Sequence, residues 1–177
     1  MGISFNIDVK KVLNLILYVA YKYPSFDIYF ILKTIYCSDK EHLLSYGMPL
    51  IGDNHIAMKY GPVPSLAYDI IKIGRGYPAG VYDKELVELI KKSLVVQNNL
   101  IILKTEPDQD YFSEIEKEII KKYGDNFVGK TFEDLKNATH DTAYLKTLRD
   151  DVITYEDILE ESEYKDDILS YIQDYAV

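Results

Sequence analysis

The stretch ILKTIYCSDKEHLLSYGMPLIGDNHIAMKYGPVPSLAYDIIK, residues 31–72, decides the fold, because it holds helix, turn, strand, turn and helix in direct succession. Asp27 is a good N-cap, Ile28, Ile31, Leu32, Ile35 and Leu43 recur at helical spacing, and Gly47 can take the left-handed conformation. Together they predict a helix over 27–46. Pro49 and the Gly-Asp-Asn at 52–54 mark a turn, after which His55 to Tyr60 reads as a short strand. Gly61-Pro62 reads as another turn. Pro62 or Pro64 then opens a helix reaching Ile73, with Val63, Leu66, Ile70 and Ile71 as its apolar face and Gly74 and Gly76 at its end.

Working outward, Asp8 caps a helix to Tyr23 that carries Val9, Val12, Leu13, Ile16 and Ala20 on one face and further apolar residues on the others, so burial on most sides is expected. Pro24 stops it. Asp83 opens a short helix over 84–92. LVVQNNLIILK (94–104) then reads as a hairpin about a Gln-Asn-Asn turn, expected to pair with the 55–60 strand or to pack on helices. Beyond the polar link TEPDQD, Ser113 with Glu116 forms a capping box for a helix closed by Gly124. Thr131 with Asp134, Asp141 and Thr154 mark three further starts. The expected fold is mainly α: a compact multi-helix domain with a small antiparallel β element of two or three short strands. Residues 1–150 are expected to form the domain, with 151–177 an acidic helical extension packed on it.

The 177 residues, 47% apolar, suffice for one core. No apolar run approaches the roughly 18–20 residues of a membrane span, and the N-terminus has neither a signal-peptide nor a myristoylation pattern. A single cysteine, Cys37, excludes an intrachain disulfide and fits a reducing, cytoplasmic setting. It lies within an apolar helical stripe, where a thiol usually behaves as a small hydrophobe. Residues 1–105 carry 12 Lys/Arg against 9 Asp/Glu (+3), and residues 106–177 carry 8 against 20 (−12), giving −9. Only Arg75 and Arg149 are arginines, so nucleic acid is a disfavoured partner. An acidic flank steers a basic partner or simply keeps the chain soluble.

The chemistry-bearing groups are few. The histidines are His42, His55 and His140. Asp39 and His42 share a helix face at i,i+3, so they can ligate a metal or orient a base with His140 added from elsewhere; the plainer reading is a local packing pair. No phosphate-loop, dinucleotide, zinc-protease or nucleophile-elbow motif occurs, and Gly74-Arg75-Gly76 reads as a helix stop. No catalytic residue, metal or cofactor is therefore expected. Seventeen tyrosines and no tryptophan are the other anomaly. Tyr36, Tyr46, Tyr60, Tyr68 and Tyr77 cluster centrally, either as interface anchors or as residues at the core's edge.

The central stretch resembles the Panacea domain, the SocA-like antitoxin family also labelled phage-associated GepA-like. The resemblance lies in Lys33, Ile35, Tyr36, Asp39, His42 and Leu43 on the helix, then Gly47, Pro49, Leu50 and Gly52. It continues in Ala57 and the block Gly61, Pro62, Val63, Pro64, Ser65, with Tyr68 after it. FSEIEKEIIKKYGD and FEDLKNATHDTAY resemble the family's second half, including Thr139-His140, with Tyr144 where an aromatic, often Trp, is usual. Thr34 and Ser38 depart from the more apolar family usage. The resemblance spans about residues 28–148 and implies an antitoxin of a toxin–antitoxin pair, often carried on prophages, that neutralises a protein toxin by direct contact. The SocA type instead delivers its toxin to a ClpXP-type protease. One domain serves many toxins, so the toxin's identity does not carry over. Tyr36, Asp39, His42, Tyr60, Gly61, Pro62, Val63, Pro64 and Tyr68 are the expected recognition or platform residues. A homodimer stays open. The rival readings are a winged-helix-like nucleic-acid-binding regulator, a metal-dependent hydrolase on Asp39, His42 and His140, and an acidic C-terminal segment that binds a partner independently.

Overall fold

The structure is a computed structural model and describes residues 2–175. Helices α1 (Val9–Lys22) and α2 (Ile28–Tyr46) start where the sequence places them. Asp8 accepts from the backbone N–H of Lys10 and Lys11, and Asp27 from that of Phe30. Gly47, at φ +72, ends α2 by donating its N–H to Leu43 O. Helix α2 is the axis of the fold, in contact with α1 and with α3 (Ser65–Gly74), α5 (Glu114–Phe127), α6 (Phe132–Thr139) and α8 (Tyr155–Leu159). Nine of its residues are buried, among them the polar Lys33, Thr34, Ser38 and Asp39, so each of those groups must be accounted for inside the protein.

Between α2 and α3 the chain folds into a hairpin of β1 (His55–Met58) and β2 (Gly61–Pro64). This corrects two expectations. The turn is Lys59-Tyr60 rather than Gly61-Pro62, and α3 begins at Ser65 with Pro64 as its N-cap residue. Two prolines are tolerated in β2 because it is an edge strand in the order β2-β1-β5. Ala57, opposite Pro62, turns its N–H and C=O to residues 151 and 150 instead, so the ladder asks nothing of Pro62.

The third strand, β5 (Val152–Ile153), was not expected; it pairs antiparallel with β1, His55 opposite Ile153. Helix α4 (Lys84–Ser93) leads into a second hairpin, β3 (Leu94–Gln97) and β4 (Leu100–Leu103), turned by Asn98 and Asn99, both at positive φ. It packs on α1, α3 and α4 and pairs with no strand of the first sheet, which corrects the expected pairing with residues 55–60.

The capping boxes at Ser113/Glu116 and Thr131/Asp134 are formed in both directions. Gly124, expected to close α5, lies inside it. The Tyr23 ring occupies the space a Cβ would need, so the glycine serves close packing rather than termination. The main core gathers α1, α2, α3 and the second hairpin. A smaller core joins Leu43, Ala57 and Ala143, the last on α7 (Thr142–Lys146), to Ile153, Tyr155, Ile158 and Leu159, and to Ile172 on α9 (Lys165–Tyr175). Among the described residues no helix is long and apolar enough to cross a membrane.

Candidate functional site

The first hairpin is braced from behind by three buried ionisable side chains. Asp39, on α2, accepts from Ile51 N at 2.7 Å and Gly52 N at 3.3 Å through Oδ1, and its Oδ2 lies 2.8 Å from His55 Nε2. Asp39 and His55 are each about 1% exposed. Asp53 accepts from the N–H of Leu66 and Ala67, both at 3.0 Å, and so caps α3 where Pro64 offers no side-chain acceptor. Burial pushes its carboxyl up, while those two N–H groups pull the other way. Lys33 donates to Pro62 O at 2.6 Å, with its ammonium 5.0 Å from the Tyr29 ring centre. Burial pulls it down to about 7.

These braces correct the Asp39–His42 pairing. His42 Nδ1 lies 2.6 Å from Met48 O, with its ring tilted against Tyr46; Asp39 takes His55 instead, brought back by the Gly52 turn. His140 joins neither. It stacks on Tyr144 at 4.2 Å and reaches Gly61, while Asp39 takes His55 and His42 takes Met48 O, so the three proposed ligands do not converge. Among the described residues no group of three or more His, Cys, Asp or Glu is placed to hold a metal ion. The Asp39–His55 pair has the arrangement of a base and its orienter, but both members are sealed from solvent at about 1% exposure, and His55 Nδ1 has no hydrogen-bond partner among the described residues. Burial pushes the Cys37 thiol up to about 12, which suits the inert hydrophobe expected of it.

The nine expected platform residues thus divide. Tyr36 is fully buried and donates to Asp141 Oδ2 at 2.7 Å, fixing α2 to the start of α7, where Lys40 also reaches Asp141. Asp39, Gly61, Pro62 and Pro64 are buried, and His42 serves the loop after α2. Gly61, at φ +105, has Lys33 Nζ, Thr139 Oγ1 and His140 Cδ2 at 2.8, 3.0 and 3.3 Å from where a Cβ would stand. Tyr60, Val63 and Tyr68 share one groove, away from the partly exposed His42.

That groove, about 350 Å³, runs between α2 and the hairpin. Its less exposed lining is Ile28, Leu32, Lys33, Met58 and Val63, with the rings of Tyr29, Tyr60 and Tyr68 beside them, and the exposed Lys59, Arg149 and Asp150 stand at its rim. Tyr60 is 47% exposed. The Tyr29 hydroxyl donates to Tyr60 O at 3.0 Å, and both rings meet Phe132, Tyr29 stacked at 4.4 Å and Tyr60 edge-on at 5.4 Å. Phe132, 39% exposed, extends this aromatic face. Sequence reasoning missed Phe132 and Tyr29. The available signal for Phe132 was an aromatic directly after the Thr131 cap, on the exposed first turn of a short helix.

Residues 31–144 match the family described as antitoxin SocA-like, Panacea domain, and the chain belongs to that family of antitoxins. No curated protein and no solved structure gave a match.

Proposed function

We propose that this chain is the antitoxin of a toxin–antitoxin pair and neutralises a cognate protein toxin by binding it directly across the groove and the aromatic face beside it. The observation that carries this reading is the exposed pair of Tyr60, on a hairpin locked from beneath by Lys33 and Asp39, and Phe132, on the first turn of α6. Large rings with few rotatable bonds, held on a rigid support, lose little freedom on binding and make effective anchors. Tyr36, Asp39, Gly61, Pro62 and Pro64 shape that support, and Tyr60, Val63 and Tyr68 touch the partner.

The test is co-expression with the product of the neighbouring gene, once that product alone is shown to be toxic. Tyr60→Ala with Phe132→Ala, and separately Tyr68→Ala, should fold normally by circular dichroism and fail to rescue growth. Full rescue by all of these folded variants overturns the reading. The toxin's lifetime in cells with and without a ClpXP-type protease distinguishes simple occlusion from delivery for degradation.

A further inference from the structure

We infer that the groove between α2 and the β1–β2 hairpin takes a short acidic–apolar segment of the partner protein, with one or two aliphatic or aromatic side chains on the floor and carboxylates beside them at the rim. This rests on the groove being the toxin-binding face and adds the chemistry of what it holds.

The floor of Ile28, Leu32, Met58 and Val63 is apolar, and its one polar side chain, Lys33, is already bound to Pro62 O, so the central contact is apolar. The rim carries two cations, Lys59 and Arg149, against one carboxylate, Asp150. Lys59 is exposed, sits 5.0 Å from the Tyr60 ring centre and makes no ion pair among the described residues. Arg149 meets only its own neighbour Asp150, at 3.7 Å, with the two side chains 67% and 71% exposed, a contact too solvated to hold it. Several lysines elsewhere have a carboxylate beside them, as Lys117 has Glu114, Lys121 Asp125, Lys136 Glu133 and Lys146 Glu160, while Lys10, Lys22, Lys84, Lys91, Lys104 and Lys130 share with Lys59 the lack of an ion pair among the described residues. In a chain of net charge −9, a rim with two cations to one carboxylate around an apolar floor runs against the overall balance. Screening over about 8 Å lets these near charges outweigh the distant acidic excess. Two rim cations are too few for strong phosphate binding, and a nucleic acid would leave the floor unfilled.

The probes are a fluorescein-labelled short peptide carrying Leu-Phe flanked by glutamates, its lysine-flanked counterpart, and an unlabelled DNA oligonucleotide as competitor. Two exposed charge pairs gained, and like charges avoided, give an expected preference of about tenfold for the glutamate-flanked peptide in anisotropy titrations. The double substitution Lys59→Glu with Arg149→Glu should invert that preference without changing the melting temperature. The inference is overturned if the glutamate-flanked peptide does not bind, if the preference survives the double substitution, or if the oligonucleotide displaces the peptide. It is also overturned if the wild type self-associates through this rim, so that a second copy is the occupant. In co-expression, rescue by the double charge variant alongside failure of Tyr60→Ala with Phe132→Ala refutes the segment's chemistry and leaves the toxin-binding reading standing. Rescue by both refutes the two together.

Discussion

Replacing Lys33 with methionine should change not only how stable the protein is but how stability depends on pH. Lys33 is about 1% exposed, has one hydrogen bond, to Pro62 O, and is drawn from 10.5 down to about 7 by burial. Below about pH 7 it is charged in both folded and unfolded chains, and the folded state carries the full cost of the buried ammonium. Between about 7 and 10.5 the unfolded chain keeps a proton that the folded one has lost, so stability rises with pH by about 1.4 kcal/mol for each pH unit. From about pH 7 to about pH 9 that amounts to about 2–3 kcal/mol. Lys33→Met removes this dependence, keeps most of the volume, and leaves the Pro62 carbonyl without its donor at a cost of about 1–3 kcal/mol.

The variant should therefore be the more stable protein near neutrality, and its advantage should shrink by about 2–3 kcal/mol on going to about pH 9. Cys37 acts in the other direction: its thiol is raised from 9.0 to about 12 in the fold, so stability falls as pH rises through that window. Keeping the measurements at or below about pH 9 and taking the difference between the two proteins limits that contribution. Urea unfolding at 25 °C, followed by circular dichroism at each pH, reads the difference directly. Parallel curves for wild type and Lys33→Met, or a variant advantage that grows with pH, would refute a discharged Lys33 beneath the hairpin.

Gly61→Ala places a Cβ against Lys33 and Thr139 at a φ of +105, so a loss of about 1–3 kcal/mol is expected in thermal unfolding. Asp39→Ala strips two backbone donors and His55 of their buried acceptor and should cost about 3–5 kcal/mol, read by urea titration. Leu159→Ala, at a fully buried position of the smaller core, should cost about 2–5 kcal/mol by the same measurement. Deleting residues 151–177 removes β5 and uncovers Leu43, Ala57 and Ala143, so the cooperative transition should broaden or vanish in calorimetry.

What the sequence reveals here is what it encodes locally. Asp8, Asp27, Ser113, Thr131 and Asp141 lie within three residues of the N–H groups they satisfy, so the helix starts can be read by inspection. Asn98-Asn99 specifies its hairpin for the same reason, since both residues tolerate positive φ. The brace beneath the site could not be read in this way. Asp39 has His42 three positions away, yet its partner is His55; the turn at Gly52 was legible in the sequence, but not which buried acceptor the histidine after it would meet. Tyr36 shared the composition of an anchor, but its hydroxyl found Asp141, 105 positions along, and sank into the interior. Prolines at 62 and 64 argued for turn and helix and against a strand; only the strand's place at the sheet edge makes them acceptable. Val152-Ile153 is too short to show an alternation at all.

The pairing of β1 with β5 also sets a clock. His55 meets Ile153, 98 positions further along the chain, and at about 5–20 residues per second a ribosome takes about 5–20 s to travel between them. During that interval the nascent hairpin has one bare edge, and Ala57 has neither of its backbone partners from residues 150 and 151. The second edge of β1 is thus finished late in synthesis, so a chain ended before residue 150 carries a hairpin whose outer edge has no strand to pair with.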